Sequence, residues 1–276
     1  MFHGNTVPPG RQAPLAEMVG LASADHPDVL CLQEVPVWAL GCLERWSGMT
    51  ALGAVAARPR IGPFPSSAQF GRVLTARNHG LFRSLFTGQA NAILAGRSLP
   101  VLGHDVLELN TSDFRRRQGA WLDLPPVARL AWAKERRVCQ AARLLGPDGE
   151  TVTVANLHAT SFPPDERLAD AELLRAAVFA DGFARPDEPC VLAGDFNVRT
   201  TRSWTMAELR GWGFAGAGPG IDHPPQPLSG FGMPGGWGPP SGPPLSTSHM
   251  RSAIANTSRS RRSAHVRPGS ASTIWL

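Results

Sequence analysis

The sequence lacks any long apolar run. None of its segments approaches the roughly 20 consecutive apolar residues that a membrane-spanning helix needs. The amino end also lacks the charged segment followed by an apolar stretch that is typical of a secretory signal. We therefore expect no membrane span and a cytoplasmic location.

Cysteine is scarce, with four residues in 276. They are widely spaced, mostly inside predicted strands, and never in a Cys-x-x-Cys arrangement: Cys31, Cys42, Cys139 and Cys190. Such spacing argues against a disulfide framework or a cysteine metal site and indicates buried thiols. A reducing, cytoplasmic setting fits this use of cysteine.

Acidic residues are absent from residues 224–276, which contain five arginines. Without those five, the 27 basic residues become 22, equal to the 22 acidic residues of the rest of the chain. The net charge of +5 therefore comes from this segment and is no evidence for a nucleic-acid-binding surface.

The same segment is dense in Pro, Gly and Ser and shows no periodicity. Such a composition buries too little apolar surface to offset the entropy of ordering. We predict one folded domain over residues 1–223, followed by a tail, residues 224–276, that is either naturally disordered or translated out of frame.

A polar motif, Gly194-Asp195-Phe196-Asn197, follows a short apolar run that begins at Cys190. An apolar run bounded by Pro189 predicts a buried strand. Asp195 and Asn197 are two residues apart, so an extended chain points both to the same side. Their oxygens suit a hard divalent cation or an attacking water. The alternative is a strand that ends in an ordinary polar turn.

Two further predicted strands end in the same way. One closes on Glu34, and the strand over 151–158 closes on Asn156 and His158. Glutamate is a natural Mg²⁺ ligand, and histidine can contact a phosphate or act as a general acid. Taken singly, Glu34 would be a solvated edge residue and His158 a structural one. Three complementary strand ends in one chain argue against coincidence.

The remaining pattern predicts a mixture of helices and strands. Helices are expected over residues 14–25 and 165–183, and a hairpin joins the strands 137–144 and 151–158 through the turn Pro147-Asp148-Gly149. Residues 50–88 look irregular. Hairpins among the helices argue against a purely parallel sheet.

The motifs Leu-Gln-Glu (32–34), Asn-Leu-His-Ala-Thr (156–160), Gly-Asp-Phe-Asn (194–197) and Ile-Asp-His (221–223) occur in an order that resembles the endonuclease/exonuclease/phosphatase superfamily. That superfamily includes deoxyribonuclease I, abasic-site endonucleases, inositol phosphatases and neutral sphingomyelinases. The resemblance covers about residues 2–223. It implies an α/β fold, a four-layer α/β/β/α sandwich with mixed sheets, here lacking a terminal strand at each end.

The resemblance also implies roles for single residues. Glu34, Asp195 and Asn197 would hold Mg²⁺ or Mn²⁺. Asp195 would orient or deprotonate the attacking water, and Asn197 would bind the metal or a phosphate oxygen. His158 would contact the phosphate and could act as an acid.

Two carboxylates have supporting roles by resemblance. Glu135 would orient His158, although a charge in a solvated run is the alternative interpretation. Asp222 would pair with a final histidine of the family, which this sequence does not show, just as it does not show the family's initial metal-holding Asn. A downstream start codon or a mis-called gene start would explain the missing Asn, and we expect weak or absent activity.

The expected function is a Mg²⁺-dependent phosphoesterase, nuclease-like or phosphatase-like, that acts as a monomer on a phosphate ester, with nucleic acid as one candidate substrate. Two alternatives stay open. One is a catalytically inactive remnant or binding domain of the same fold, and the other is a phospholipid phosphodiesterase.

Overall fold

A computed structural model describes residues 15–77, 87–199, 202–216 and 272–275. The strands are β1 Val29–Val35, β2 Thr50–Ala57, β3 Arg60–Ile61, β4 Phe64–Pro65, β5 Gln89–Ala95, β6 Val101–Glu108, β7 Val138–Leu145, β8 Thr151–His158, β9 Cys190–Asp195, β10 Phe214–Gly216 and β11 Ser272–Trp275. The helices are α1 Leu15–Ala22, α2 Leu43–Ser47, α3 Ala68–Arg77, α4 Ser112–Trp121, α5 Pro126–Lys134, α6 Arg167–Phe183 and α7 Trp204–Gly211, and a 3₁₀ helix spans Val37–Cys42.

Two main sheets form the centre of the fold. The smaller is antiparallel, with strand order β1-β5-β2. The larger has the order β10-β11-β9-β8-β7-β6 and is mixed, because β8 runs parallel to β9 but antiparallel to β7. The short strands β3 and β4 pair with each other.

The sheets pack face to face through an apolar cluster that joins Ile93 of β5 to Leu144 of β7 and Val154 of β8. The outer face of the small sheet is covered by α1, and the outer face of the large sheet is covered by α6. Alternating side chains supply the two faces of each strand, as the period of two requires. The predicted mixed α/β fold is confirmed, while its four-layer form stays a prediction that these clusters support.

The irregular structure predicted for residues 50–88 is wrong for much of that range. Residues 50–57 form β2, which pairs with β5 along its length, and Ala68–Arg77 form α3. The small residues of β2 have little intrinsic strand preference, so its conformation comes from pairing with β5. The helices α4 and α5 were also not predicted.

The segment Ser272–Trp275 differs from the prediction of an unstructured tail. It forms β11, which lies between β9 and β10 and is parallel to both. Its Thr, Ile and Trp are strand-forming residue types, whereas the composition of the tail as a whole is not. The domain boundary after residue 223 stays a prediction.

Among the residues that the structure describes, no helix combines the length and the apolar character needed to cross a bilayer.

Candidate functional site

The carboxyl ends of β8 and β9 place His158 beside Asp195. The two strands are parallel, and these two residues are partners in register. Their side chains point toward the small sheet, because Val154 and Val191 on the same faces lie in the cluster between the sheets. The Nε2 of His158 lies 3.8 Å from Oδ2 of Asp195.

Gly194 makes this close approach feasible. Its φ is 134°, and a Cβ at this position would lie 1.9 Å from the carbonyl oxygen of Leu157. Any side chain would therefore force β9 away from β8 where Asp195 follows. The glycine of the Gly-Asp-Phe-Asn motif is thus explained by packing of one backbone on another.

Glu34 lies in a β-bulge near the end of β1. Leu32 pairs with Ala92 and Val35 with Ala90, so two residues of β1 face a single residue of β5. Glu34 has a φ of 56°, a left-handed conformation that is unusual for a residue with a side chain. Both Leu32 and Val35 pack in the cluster under α1. The bulge therefore releases Glu34 from the helix-covered face that regular alternation would assign to it.

The buried amide of Asn156 holds this bulge from the opposite sheet. Its Nδ2 donates to the carbonyl oxygens of Leu32 at 3.1 Å and Ala92 at 2.9 Å. Its Oδ1 accepts a 2.8 Å hydrogen bond from Nε2 of Gln33. Since Leu32 and Ala92 are cross-strand partners at the bulge, Asn156 fixes the backbone from which Glu34 projects.

Although the side chain of Asp195 is 54% exposed, partial burial of its carboxylate is the main cause that raises its pKa, and the negative charge of Glu34 raises it further. The backbone N–H of Asn197 and the positive charge of Arg137 lower it in part. The charge of Glu34 therefore acts on Asp195. A cation between them would relieve their repulsion.

Asn197 follows Asp195 in a left-handed conformation, with a φ of 51°. Its backbone N–H donates to Oδ1 of Asp195 at 3.2 Å, and its Nδ2 donates to the carbonyl oxygen of Ala159 at 2.9 Å. Asn197 therefore ties the end of β9 to the end of β8. Its Oδ1 is the atom with which it could ligate a metal.

The second ring nitrogen of His158 faces nitrogen donors. Its Nδ1 lies 3.1 Å from NH1 of Arg137 and 3.1 Å from Nε2 of Gln89. The NH2 of Arg137 donates to Oε2 of Glu135 at 2.6 Å. The guanidinium of Arg137 therefore lies between the ring of His158 and the carboxylate of Glu135.

The loop after His158 is held by a buried glutamate of α6. Glu172 accepts hydrogen bonds from the backbone N–H of Thr160 at 2.6 Å and from its hydroxyl at 2.8 Å. It also accepts a 2.6 Å bond from the indole of Trp132. Burial raises the pKa of Glu172, while the charge of Arg137 lowers it. This network fixes the start of the loop relative to α6.

The predicted metal ligands offer a suitable set of donor atoms. Two carboxylates and one amide oxygen match the preference of Mg²⁺ and Mn²⁺ for hard ligands. Among the residues that the structure describes, no group of three or more His, Cys, Asp or Glu side chains could hold a metal by itself. Mg²⁺ commonly binds through one or two carboxylates and completes its shell with water and substrate phosphates. The residues present therefore fit such an ion.

Asp222 lies outside the described residues. Sequence reasoning missed Arg137, Gln89 and the role of Asn156. Gln89 and Asn91 are polar residues at alternate positions of the otherwise apolar β5. This alternation is the sequence feature that could have predicted a polar layer between the sheets. Arg137 gave no such signal, because it belongs to a run of charged residues.

Comparison with solved structures gives distant similarities. A functionally unknown conserved protein from Enterococcus faecalis V583 is 14% identical, with a TM-score of 0.47, over 71% of this chain and 62% of that one. An endonuclease/exonuclease/phosphatase family protein from Bacteroides thetaiotaomicron is 12% identical, with a TM-score of 0.44, over 72% and 61% of the two chains. The catalytic domain of human Nocturnin, with bound sulfate, is 17% identical, with a TM-score of 0.45, over 71% and 62%. The chain thus matches little more than three fifths of these structures.

A search of curated proteins gives no match. The model of the Endonuclease/Exonuclease/phosphatase family, however, matches residues 3–254, which is most of the chain. The activities in that description, nuclease and phosphatase, are hydrolyses of phosphate esters. The chain belongs to the Endonuclease/Exonuclease/phosphatase family.

Proposed function

We propose that this chain is a divalent-metal-dependent phosphoesterase whose reaction takes place at the carboxyl ends of β8 and β9. The observation that carries the proposal is the pair formed by His158 and Asp195, 3.8 Å apart, with the charge of Glu34 acting on Asp195. Phosphate-ester hydrolysis needs a base, a hydrogen-bond donor and a second carboxylate. The carboxyl ends of β8 and β9 bring such groups together. Membership of the family supports the same reaction class.

In this proposal Asp195 orients a water molecule and accepts its proton as the water oxygen forms a bond to phosphorus. The bond to the leaving oxygen breaks, and that oxygen takes up a proton from solvent. His158 donates a hydrogen bond to a phosphate oxygen. Glu34, Asp195 and Asn197 would hold Mg²⁺ or Mn²⁺, which, when bound, would neutralise charge on the phosphate.

The proposal is tested with two chromogenic substrates, bis(p-nitrophenyl) phosphate as a diester and p-nitrophenyl phosphate as a monoester, with Mg²⁺, Mn²⁺ or excess EDTA. We expect metal-dependent hydrolysis of one substrate, and the preferred substrate separates nuclease-like from phosphatase-like chemistry. Asp195→Asn and His158→Gln should each lower kcat by about 10²- to 10⁴-fold. Asp148→Asn is the matched control, because it removes the same charge in the turn at the opposite end of β8.

Metal binding is measured separately by titration calorimetry with Mn²⁺. Glu34→Gln should weaken Mn²⁺ binding by about tenfold or more, and Asp148→Asn should not. Binding of Mn²⁺ without hydrolysis of either ester would instead support the inactive binding domain. Hydrolysis that persists in EDTA or in Asp195→Asn would overturn the proposed site.

A further inference from the structure

His158 is presented to the site through its Nε2, and its Nδ1 is turned into the protein. The residue is only 4% exposed. Two nitrogen atoms converge on Nδ1, NH1 of Arg137 and Nε2 of Gln89, each at 3.1 Å. The protonation of this ring nitrogen is therefore set by groups inside the fold.

A guanidinium group carries only hydrogen-bond donors and stays charged in proteins. The nitrogen that faces it must offer a lone pair, because an N–H there would point at another N–H. The amide of Gln89 can present either its nitrogen or its oxygen, but Arg137 has no such choice. In a neutral imidazole the single proton must then be on Nε2.

Arg137 is itself held in place. It is 5% exposed, and its backbone N–H donates to Oδ1 of Asn110 at 2.8 Å. Its NH2 donates to Oε2 of Glu135 at 2.6 Å, so the two ends of the guanidinium fork face Glu135 and His158. The nearby charges of Asp195 and Glu172 compensate this buried cation. The guanidinium is therefore fixed in position and orientation.

We propose that Arg137 is a positioning residue that holds His158 in the tautomer protonated at Nε2. Within the proposed function, on which this inference rests for its catalytic meaning, that tautomer directs an N–H toward Asp195 and the substrate phosphate. A carboxylate at Nδ1 would place the proton on Nδ1 instead. The two arrangements give opposite tautomers and are therefore distinguishable.

The tautomer is read directly by long-range ¹H–¹⁵N correlation spectra of the ¹⁵N-labelled full chain at neutral pH. The ring signals of His158 are those that disappear in His158→Gln. We expect an unprotonated Nδ1 and a protonated Nε2 in the unsubstituted protein. A proton on Nδ1, whether alone or together with one on Nε2, would overturn the proposal. This measurement does not require an arginine variant to fold.

Arg137→Met keeps the length of the side chain and removes every donor. We expect the Nδ1-protonated tautomer to appear and, if the chain hydrolyses the chromogenic esters, kcat to fall about tenfold or more with little change in KM. Arg143→Met is the matched control, because it removes an arginine of β7 that pairs with Glu188 away from His158. An unchanged tautomer in Arg137→Met would contradict the proposal.

The double variant Arg137→Met/His158→Gln tests whether the arginine acts through the histidine. If it does, the double variant is no slower than His158→Gln alone. An equal loss from Arg137→Met in both backgrounds would show a separate role and overturn the inference. If the unsubstituted chain hydrolyses neither ester, the proposed function fails while the spectrum still decides the tautomer.

Discussion

Single polar residues in the interior decide where the proposed catalytic groups lie. Asn156 is fully buried, yet its amide satisfies two carbonyl groups and one side chain of the facing sheet. A buried amide with its hydrogen bonds formed specifies a unique arrangement, and the loss of those bonds leaves polar groups without partners. The effect of Asn156 on the site is therefore indirect, through the backbone at Glu34.

Asn156→Leu should lower the free energy of unfolding by about 2–4 kcal/mol, because it leaves the carbonyls of Leu32 and Ala92 without their donor. It should also weaken Mn²⁺ binding, since the bulge that carries Glu34 loses its anchor. Urea unfolding and titration calorimetry measure the two effects. Thr153→Val is the control, because it removes a buried hydrogen bond to Glu188 near the other end of β8. Equal Mn²⁺ affinity in both variants would show that Asn156 only stabilises the fold.

At the level of strands and helices, the site depends on how strands end. Parallel pairing of β8 and β9 sets His158 opposite Asp195, and Gly194 allows the two backbones to meet. Helix α6 then holds the following loop through Glu172. The elements thus position the site through their ends, where regular hydrogen bonding stops.

Gly194→Ala should lower the free energy of unfolding by about 3 kcal/mol or more, or prevent folding, because the new Cβ would meet the carbonyl oxygen of Leu157. Gly182→Ala is the matched control. Gly182 lies in α6, where an added Cβ would meet no atom of the described residues within 4 Å beyond its chain neighbours and its own helix backbone, so alanine should stabilise the helix by about 0.5–1 kcal/mol. Both values come from urea unfolding. A Gly194→Ala protein as stable as the Gly182→Ala protein would contradict the steric argument.

Over the whole molecule, the interface between the sheets is divided into two parts. One end is apolar and includes Ile93, Leu144 and Val154. The end that carries the site is polar, and among its buried residues are Gln89, Asn91, Gln140, Asn156 and His158. Apolar packing at one end supplies the stability that the polar end does not, since hydrogen-bonded polar groups add little net stability.

A buried hydrogen bond between Asp170 of α6 and Ser203 makes the stability of the fold depend on pH. Asp170 of α6 accepts a hydrogen bond from Ser203, which caps α7. Burial raises the pKa of Asp170 from 3.8 to about 6, so the folded state binds this proton more tightly than the unfolded chain does. The contribution to stability is greatest below the unfolded pKa and is lost as the pH rises to about 6.

Asp170→Asn should remove this dependence. The stability of the variant relative to the unsubstituted protein should therefore rise between pH 4 and pH 6 by about 2 kcal/mol, since 1.4 kcal/mol accompanies each unit of pKa shift and part of the change falls outside this range. Urea unfolding at several pH values measures the difference. Asp25→Asn, which removes a carboxylate at an exposed position, is the control. A constant difference between Asp170→Asn and the unsubstituted protein across this range would exclude the titration of Asp170 as its source.

The sequence predicted the elements whose patterns are strong and local. The alternating residues of β8, the apolar run of β9, the long helix α6 and the polar strand ends with Glu34, His158 and Asp195 were all visible from residue types. The strand β2 was not, because its small residues adopt an extended conformation through pairing with β5. Arg137 was missed because burial of a charged residue depends on partners that are distant along the chain. Local pattern therefore located the strand ends, and tertiary contacts determined what surrounds them.

Because of the bulge at Glu34, the number of residues in β1 matters for the site as much as their types do. The stretch from Leu32 to Val35 is one residue longer than a regular ladder needs. A deletion of Gln33 would restore regular pairing and keep Val35 on the helix-covered face, so the sheet itself would tolerate it. The carbonyls of Leu32 and Ala92 could then return to the ladder, and Asn156 would lose its acceptors. In any relative with a shorter β1, an aligned glutamate would thus not indicate an equivalent site, because the extra residue creates the position that the glutamate occupies.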